Sequence, residues 1–127
     1  MPSEHAVANA SPLITLFKSG QADILPGLFR DIVVPSAVWI EVMNGPASDA
    51  AAQQLPSIPW ITRIESVDVP ARIQAWDLGA VESEVLAYAA QHSTHLAIVD
   101  DGAARRCART LGIGVIGTLG LVVLAKR

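Results

Sequence analysis

The chain has 127 residues, 51% hydrophobic and 17% charged, with a net charge of −3 and one cysteine. That length buries one core rather than two, and the composition excludes disorder. The lone Cys107 excludes an internal disulfide framework and points to a reducing cytoplasm, the lack of a Cys/His cluster offers a structural zinc site no ligands, and the acidic balance argues against coating nucleic acid by bulk charge.

Short apolar runs alternate with helical patterns along the chain, the mark of an α/β domain. The segment from Met1 to Asn9 has no apolar core of signal-peptide length, and no apolar stretch approaches the roughly 18 residues of a membrane span, so a cytoplasmic, membrane-free protein is expected. Ala6-Val7-Ala8 reads as a buried strand. Asn9-Ala10-Ser11-Pro12 follows as a turn, with Ser11 as N-cap and Pro12 at the first helical position, and the helix runs through Leu13, Ile14, Leu16 and Phe17 to Gly20. A weaker helix covers Asp23 to Phe29. Ile32-Val33-Val34 is a second strand ended by Pro35, and Ser36 caps a helix bearing Val38, Trp39, Glu41 and Val42 that Asn44-Gly45-Pro46 breaks. A short helix over residues 47–54 and an edge strand over Trp60 to Ile64 come next, while residues 66–79 show no clear pattern.

Val81, Val85, Leu86 and Ala89 recur at helical spacing between Ala80 and Gln91. Leu96-Ala97-Ile98-Val99 is a wholly apolar strand that stops at Asp100-Asp101-Gly102. A helix from Ala103 to Leu111, a strand Val115-Ile116 and a last helix capped by Thr118 complete the pattern. The right-handed crossover rule then gives one parallel sheet of four or five strands with helices on both faces.

Open parallel sheets bind ligands beyond the carboxyl ends of their strands. Asn9 closes the first strand and Asp100 the fourth, so both can converge on one cleft. Glu41 lies one helix past the second strand, and Glu82 and Glu84 lie in the helix feeding the Asp100 strand, where residues two apart point about 200° apart, so one of the pair is expected to face solvent. Oxygen ligands without histidine or cysteine favour Mg²⁺ or Mn²⁺ over zinc, and such an ion beside carboxylates suits phosphodiester hydrolysis. Duller roles stand beside these. Asp100-Asp101 can cap the next helix, Glu41 can be an exposed helical acid, Asn9 can form a turn, and His5, His92 and His95 have no metal spacing and read as surface or turn residues. Gly112-Ile113-Gly114-Val115-Ile116-Gly117 matches the G-x-G-x-x-G dinucleotide pattern, but that fingerprint must follow a first strand and open a helix with an acid about 20 residues later, and here only ten residues remain and none is acidic. These glycines read instead as a helix stop, a tight turn and a strand exit.

Asn9-Ala10-Ser11-Pro12-Leu13-Ile14, then Val33-Val34-Pro35 with Val38 and Glu41-Val42, the Leu78-Gly79 to Glu84 region, Val99-Asp100-Asp101 with Ala104-Arg105, and Leu111-Gly112 through Val115 to Gly120 succeed one another in an order that resembles a VapC-like subfamily of PIN-domain ribonucleases. The resemblance runs nearly end to end and implies one PIN-like nuclease domain over residues 1–127 that cleaves single-stranded RNA with Mg²⁺ or Mn²⁺. Carried over by position, it implies Glu41, Glu84, Asp100 and Asp101 as catalytic acids, and Asn9, Glu41, Glu84 and Asp100 as metal donors. Ser11 becomes a polar neighbour of the substrate, and Arg105, Arg106 and Arg109 a route for RNA phosphates. The wider family carries aspartate where this chain has Asn9 and usually where it has Glu84, and Val81 stands where a glycine often precedes Glu82, so Glu82 and Glu84 both stay open as the pocket acid. The resemblance implies a small antitoxin as partner, and a homodimer is expected. Two other classes compete: a PIN-like binding or structural module without catalysis, which the neutral Asn9 favours, and a phosphoacceptor receiver domain, which would carry its acidic pair after the first strand instead of the fourth.

Overall fold

Some segments of the chain are apolar at every position, and their burial explains why. In the computed structural model, which describes residues 5–127, Ala6, Val7 and Ala8, then Ile32 and Val34, then Ala97, Ile98 and Val99 are wholly buried. A strand covered on both faces has no reason to alternate polar with apolar residues. These runs belong to the central strands of a five-stranded sheet: β1 (His5–Ala8), β2 (Asp31–Pro35), β3 (Ile61–Ile64), β4 (His95–Ile98) and β5 (Val115–Ile116). The order is β3-β2-β1-β4-β5, and every pairing is parallel. β3 lies at the edge, as expected, and exposes Thr62 and Arg63. Met1 to Glu4, part of the segment read as lacking a signal-like core, lie outside the described residues.

The connections hold α1 (Ala10–Lys18) and α2 (Ile24–Leu28), α3 (Ser36–Met43) and α4 (Ala50–Gln54), α5 (Ala71–Gln74) and α6 (Ala80–Gln91), then α7 (Gly102–Thr110), with α8 (Thr118–Ala125) last. With right-handed crossovers, the links from β1 to β2 and β2 to β3 cover one face and those from β3 to β4 and β4 to β5 the other. The contacts agree: α1, α3 and α4 touch one another, α6 touches α7, and α6 lies on β1 and β4. Among the described residues no helix is long and apolar enough to cross a membrane. The result is a single α/β domain.

Three helix starts differ from expectation. Asn9, not Ser11, caps α1: its N–H donates to Ile98 O at 3.0 Å, beyond the end of β1, and its Oδ1 accepts the Ala10 N–H at 2.9 Å. The strand therefore passes directly into the helix, with no turn between. Ser36 is the first residue of α3, following Pro35, and its hydroxyl instead accepts from Arg63 Nη2 at 3.1 Å. Thr118 likewise opens α8 and follows Gly117. In the stretch without pattern, α5 forms a single turn held by Ile73, which is wholly buried.

The rejected dinucleotide motif is accounted for by backbone geometry. Gly112 takes φ +73° where α7 stops, a conformation strained for any L side chain. A Cβ at Gly114 would stand 3.1 Å from Leu96 Cδ1, so that glycine keeps the turn into β5 close to β4; outside the motif, a Cβ at Gly120 would stand 2.7 Å from Ile116 Cγ1, so Gly120 lets α8 lie close on β5.

Candidate active site

The direction of strand order reverses between β1 and β4, with β2 and β3 on one side and β5 on the other. A parallel sheet opens a crevice beyond its carboxyl ends at such a point. Because Ala8 pairs with Ile98, Asn9 and Asp100 leave the sheet at the same edge, Asn9 at 4% exposure and Asp100 half-buried.

Asp100 is bound to a helix far along the chain. Its Oδ1 accepts the Thr118 N–H at 2.7 Å and its Oδ2 accepts the Thr118 hydroxyl at 2.6 Å, so the carboxylate satisfies the start of α8. Asp101 serves a different helix, accepting the Ala104 N–H on Oδ2 at 2.9 Å as the N-cap of α7. The capping role expected of the acidic pair is thus divided, and only Asp101 caps the helix that follows it. Each Asp100 oxygen keeps a lone pair for another ligand. Gly117 makes room for this arrangement, since a Cβ there would lie 3.0 Å from Asp100 Oδ1 and 3.3 Å from Arg105 Nη1.

A cleft of about 430 Å³ opens from Asp100 toward β5 and α8, with Arg105, Val115, Ile116 and Gly117 on its wall and Leu119 and Val123 beside them; Asn9, Glu41 and Glu84 do not line it. Arg105 is half-buried, unlike Arg106 and Arg109, which are exposed. Its buried Nε meets no hydrogen-bond partner among the described residues. The basic helix therefore turns one arginine toward the cleft and two toward solvent. Ser11 is exposed on α1.

Glu41 is exposed on α3, a helix that packs against α6. Glu84 is half-buried, and its Oε1 accepts the Val67 N–H at 3.0 Å. Glu82 lies in the first turn of α6 and is half-buried as well. Neither acid of this pair is fully exposed. The segment after β3 lies over the helix, with Val67 on Glu84 and the Asp68 carbonyl accepting from Gln91 Nε2 at 3.1 Å.

The donors at this end of the sheet are all oxygens, the chemistry of a hard cation such as Mg²⁺ or Mn²⁺. Among the described residues, Glu41, Glu84 and Asp100 do not bring their oxygens within 4.8 Å of one another as a set, whereas His5, Asp31 and His95, at the amino ends of the strands, do bring ligand atoms that close. Sequence spacing missed that group because its members sit far apart along the chain and meet only through strand register. Burial, then the neighbouring His5, lowers His95 below the ordinary imidazole range.

Comparisons with known proteins agree with this architecture. PAE2754 from Pyrobaculum aerophilum superposes with a TM-score of 0.67 at 17% identity, covering 98% of this chain and 91% of that one. SSO1118, a PilT N-terminus domain protein from the hyperthermophilic archaeon Sulfolobus solfataricus P2, superposes with a TM-score of 0.59 at 18% identity, covering 95% of this chain and 92% of that one. At such identity the likeness is one of fold. No curated protein matches the chain in sequence. The sequence matches the DUF3368 PIN-domain family over residues 5–127, and with the match spanning all five strands and the crevice between β1 and β4, the chain belongs to the PIN domain family, whose members are generally nucleases.

Proposed function

We propose that the domain, residues 1–127, is a metal-dependent endoribonuclease for single-stranded RNA and the toxin of a VapC-like toxin–antitoxin pair. The observation that carries this is Asp100 at the reversal of strand order, in a cleft it shares with Arg105. Asn9, Glu41, Glu84 and Asp100 would hold Mg²⁺ or Mn²⁺: the all-oxygen donor set suits such an ion and Asp100 retains free lone pairs, while Glu41, Glu84 and Asp100 reach one ion together only once their side chains move. The chemistry such an ion supplies is activation of water and neutralisation of charge on the scissile phosphate. The remaining work falls to the chain. Arg105, half-buried on the wall of the cleft, offers the outer end of its guanidinium to an RNA phosphate, while Arg106 and Arg109 extend the positive surface along α7 and Ser11 adds a polar contact. Asp101, holding α7 by its cap, orients that helix.

The antitoxin belongs to the same proposal. Leu119 and Val123, 76% and 50% exposed beside the cleft, give a small protein an apolar foothold from which a basic side chain would meet Glu41, Glu84 and Asp100. The protein works in the cytoplasm as a homodimer. A second possibility, a PIN-like binding module without catalysis, is favoured by Asn9, which is neutral and has its Oδ1 engaged in capping α1.

Purified protein is expected to cut single-stranded RNA with Mg²⁺ or Mn²⁺ and to stop in EDTA. Cleavage that persists in EDTA removes the metal mechanism; inertness toward every RNA favours the binding module. Expression alone is expected to slow growth, and co-expression of the adjacent small gene to restore it with a stable complex. Unimpaired growth and no complex leave a nuclease without the toxin role, and sedimentation tests the homodimer.

A further inference from the structure

At the end of the sheet opposite the cleft, three side chains from three adjacent strands come together. His5 begins β1, Asp31 begins β2 and His95 begins β4, and the register pairs His5 with Asp31 on one side and His95 on the other. Residues paired across parallel strands project to the same face, so this adjacency follows from register alone. One ligand atom from each residue lies within 4.8 Å of the other two, and all three residues are half-buried. His5 Nδ1 is in hydrogen-bonding contact with Asp31 Oδ1, and the His5 and His95 rings stack with centroids 5.0 Å apart. Outer partners surround the group. His95 Nδ1 lies 3.2 Å from Thr94 Oγ1, a contact of the kind that orients a ligating ring, and the His92 ring stands edge-on to His95 at 5.6 Å.

We propose that His5, Asp31 and His95 form a site for a single divalent transition ion of the Zn²⁺ class, clasping the amino ends of β2, β1 and β4. Two imidazoles and a carboxylate suit a borderline ion, whereas Mg²⁺ and Ca²⁺ prefer an oxygen cage. Ligand atoms around tetrahedral zinc stand about 3.3 Å apart, so on binding the hydrogen-bonded His5–Asp31 pair opens, His95 closes on it, and the His5–Asp31 hydrogen bond is exchanged for two metal bonds. The backbone need not move, because the strand pairings already fix the three Cα positions. A fourth position is left for water or the nearby His92. The clasp is separate from the oxygen donors across the sheet, and it stands whether or not the domain cleaves RNA.

Untagged protein titrated with Zn²⁺ by calorimetry in excess Mg²⁺, which occupies the oxygen donors, is expected to bind one Zn²⁺ per chain, with affinity falling by more than about tenfold in His5→Gln and in His95→Gln and unchanged in Asp100→Asn. Zn²⁺ is likewise expected to raise the melting temperature of the wild type but not of His95→Gln. No binding by the wild type, equal binding by both histidine variants, or loss confined to Asp100→Asn each overturns the proposal. Should a histidine variant fail to fold, Co²⁺ loaded into the wild type decides. Paramagnetically shifted imidazole protons from His5 and His95 support the clasp, and shifts from neither histidine overturn it.

Discussion

Replacing Asp100 by alanine removes both acceptors that hold the start of α8, the carboxylate oxygens 2.7 Å from Thr118 N and 2.6 Å from Thr118 Oγ1. Hydrogen bonds to charged groups contribute about 1.5–3 kcal/mol each, and since the half-buried site lets water replace part of that, the pair together is worth about 2–3 kcal/mol. At about 3–4 °C per kcal/mol for a domain of this size, Asp100→Ala should melt about 6–12 °C below the wild type. Asp100→Asn is different in kind. Its carbonyl still accepts the Thr118 N–H and its amide can donate to the Thr118 hydroxyl, so only the negative charge at the helix N-terminus is lost, about 0.3–1 kcal/mol. Under the proposed mechanism both variants lose RNA cleavage by orders of magnitude, so the alanine form is crippled twice and the asparagine form once. Circular dichroism melts without metal, run beside cleavage of a single-stranded RNA in Mn²⁺, separate the two effects. An alanine variant that melts with the wild type refutes the structural role, and an asparagine variant that cleaves normally refutes the catalytic one.

Asn9→Asp keeps the cap on Ala10 N but places a charge at a position 4% exposed, so the metal-free protein should lose stability while Mn²⁺ binds more tightly and restores it. Calorimetry and paired melts check this, and weaker Mn²⁺ binding would show that Asn9 does not face the ion. Gly112→Ala meets no atom within 4 Å but must adopt φ +73°, for about 1–2 kcal/mol. Gly120→Ala has an ordinary φ yet meets Ile116 Cγ1 at 2.7 Å, for about 1–3 kcal/mol of overpacking; urea titration of both should show two comparable losses of different origin. Burial raises the Cys107 thiol above its ordinary range, so a disulfide reagent should label native protein only at the rate of its opening, and prompt labelling at neutral pH would contradict the buried position.

Much of the fold is local and therefore readable in the sequence. Three consecutive apolar residues at Ala6 to Ala8, and the run ending in Val99, signal strands buried on both faces because each position independently needs an apolar neighbourhood. Helical spacing from Val81 to Ala89 and the abrupt polar stop at Asp100 are equally local, and the ordered succession of such blocks is what carried the family resemblance. What the sequence could not decide is which partner each polar group takes. Asn9 displaces Ser11 as a cap because its own N–H is held by the Ile98 carbonyl, Asp100 reaches across 18 residues to Thr118, and Glu84 is covered by Val67 from a stretch with no pattern of its own. His5, Asp31 and His95 show this most plainly. Polar side chains are satisfied by geometry, and geometry between distant segments exists only once strand order and register bring them side by side.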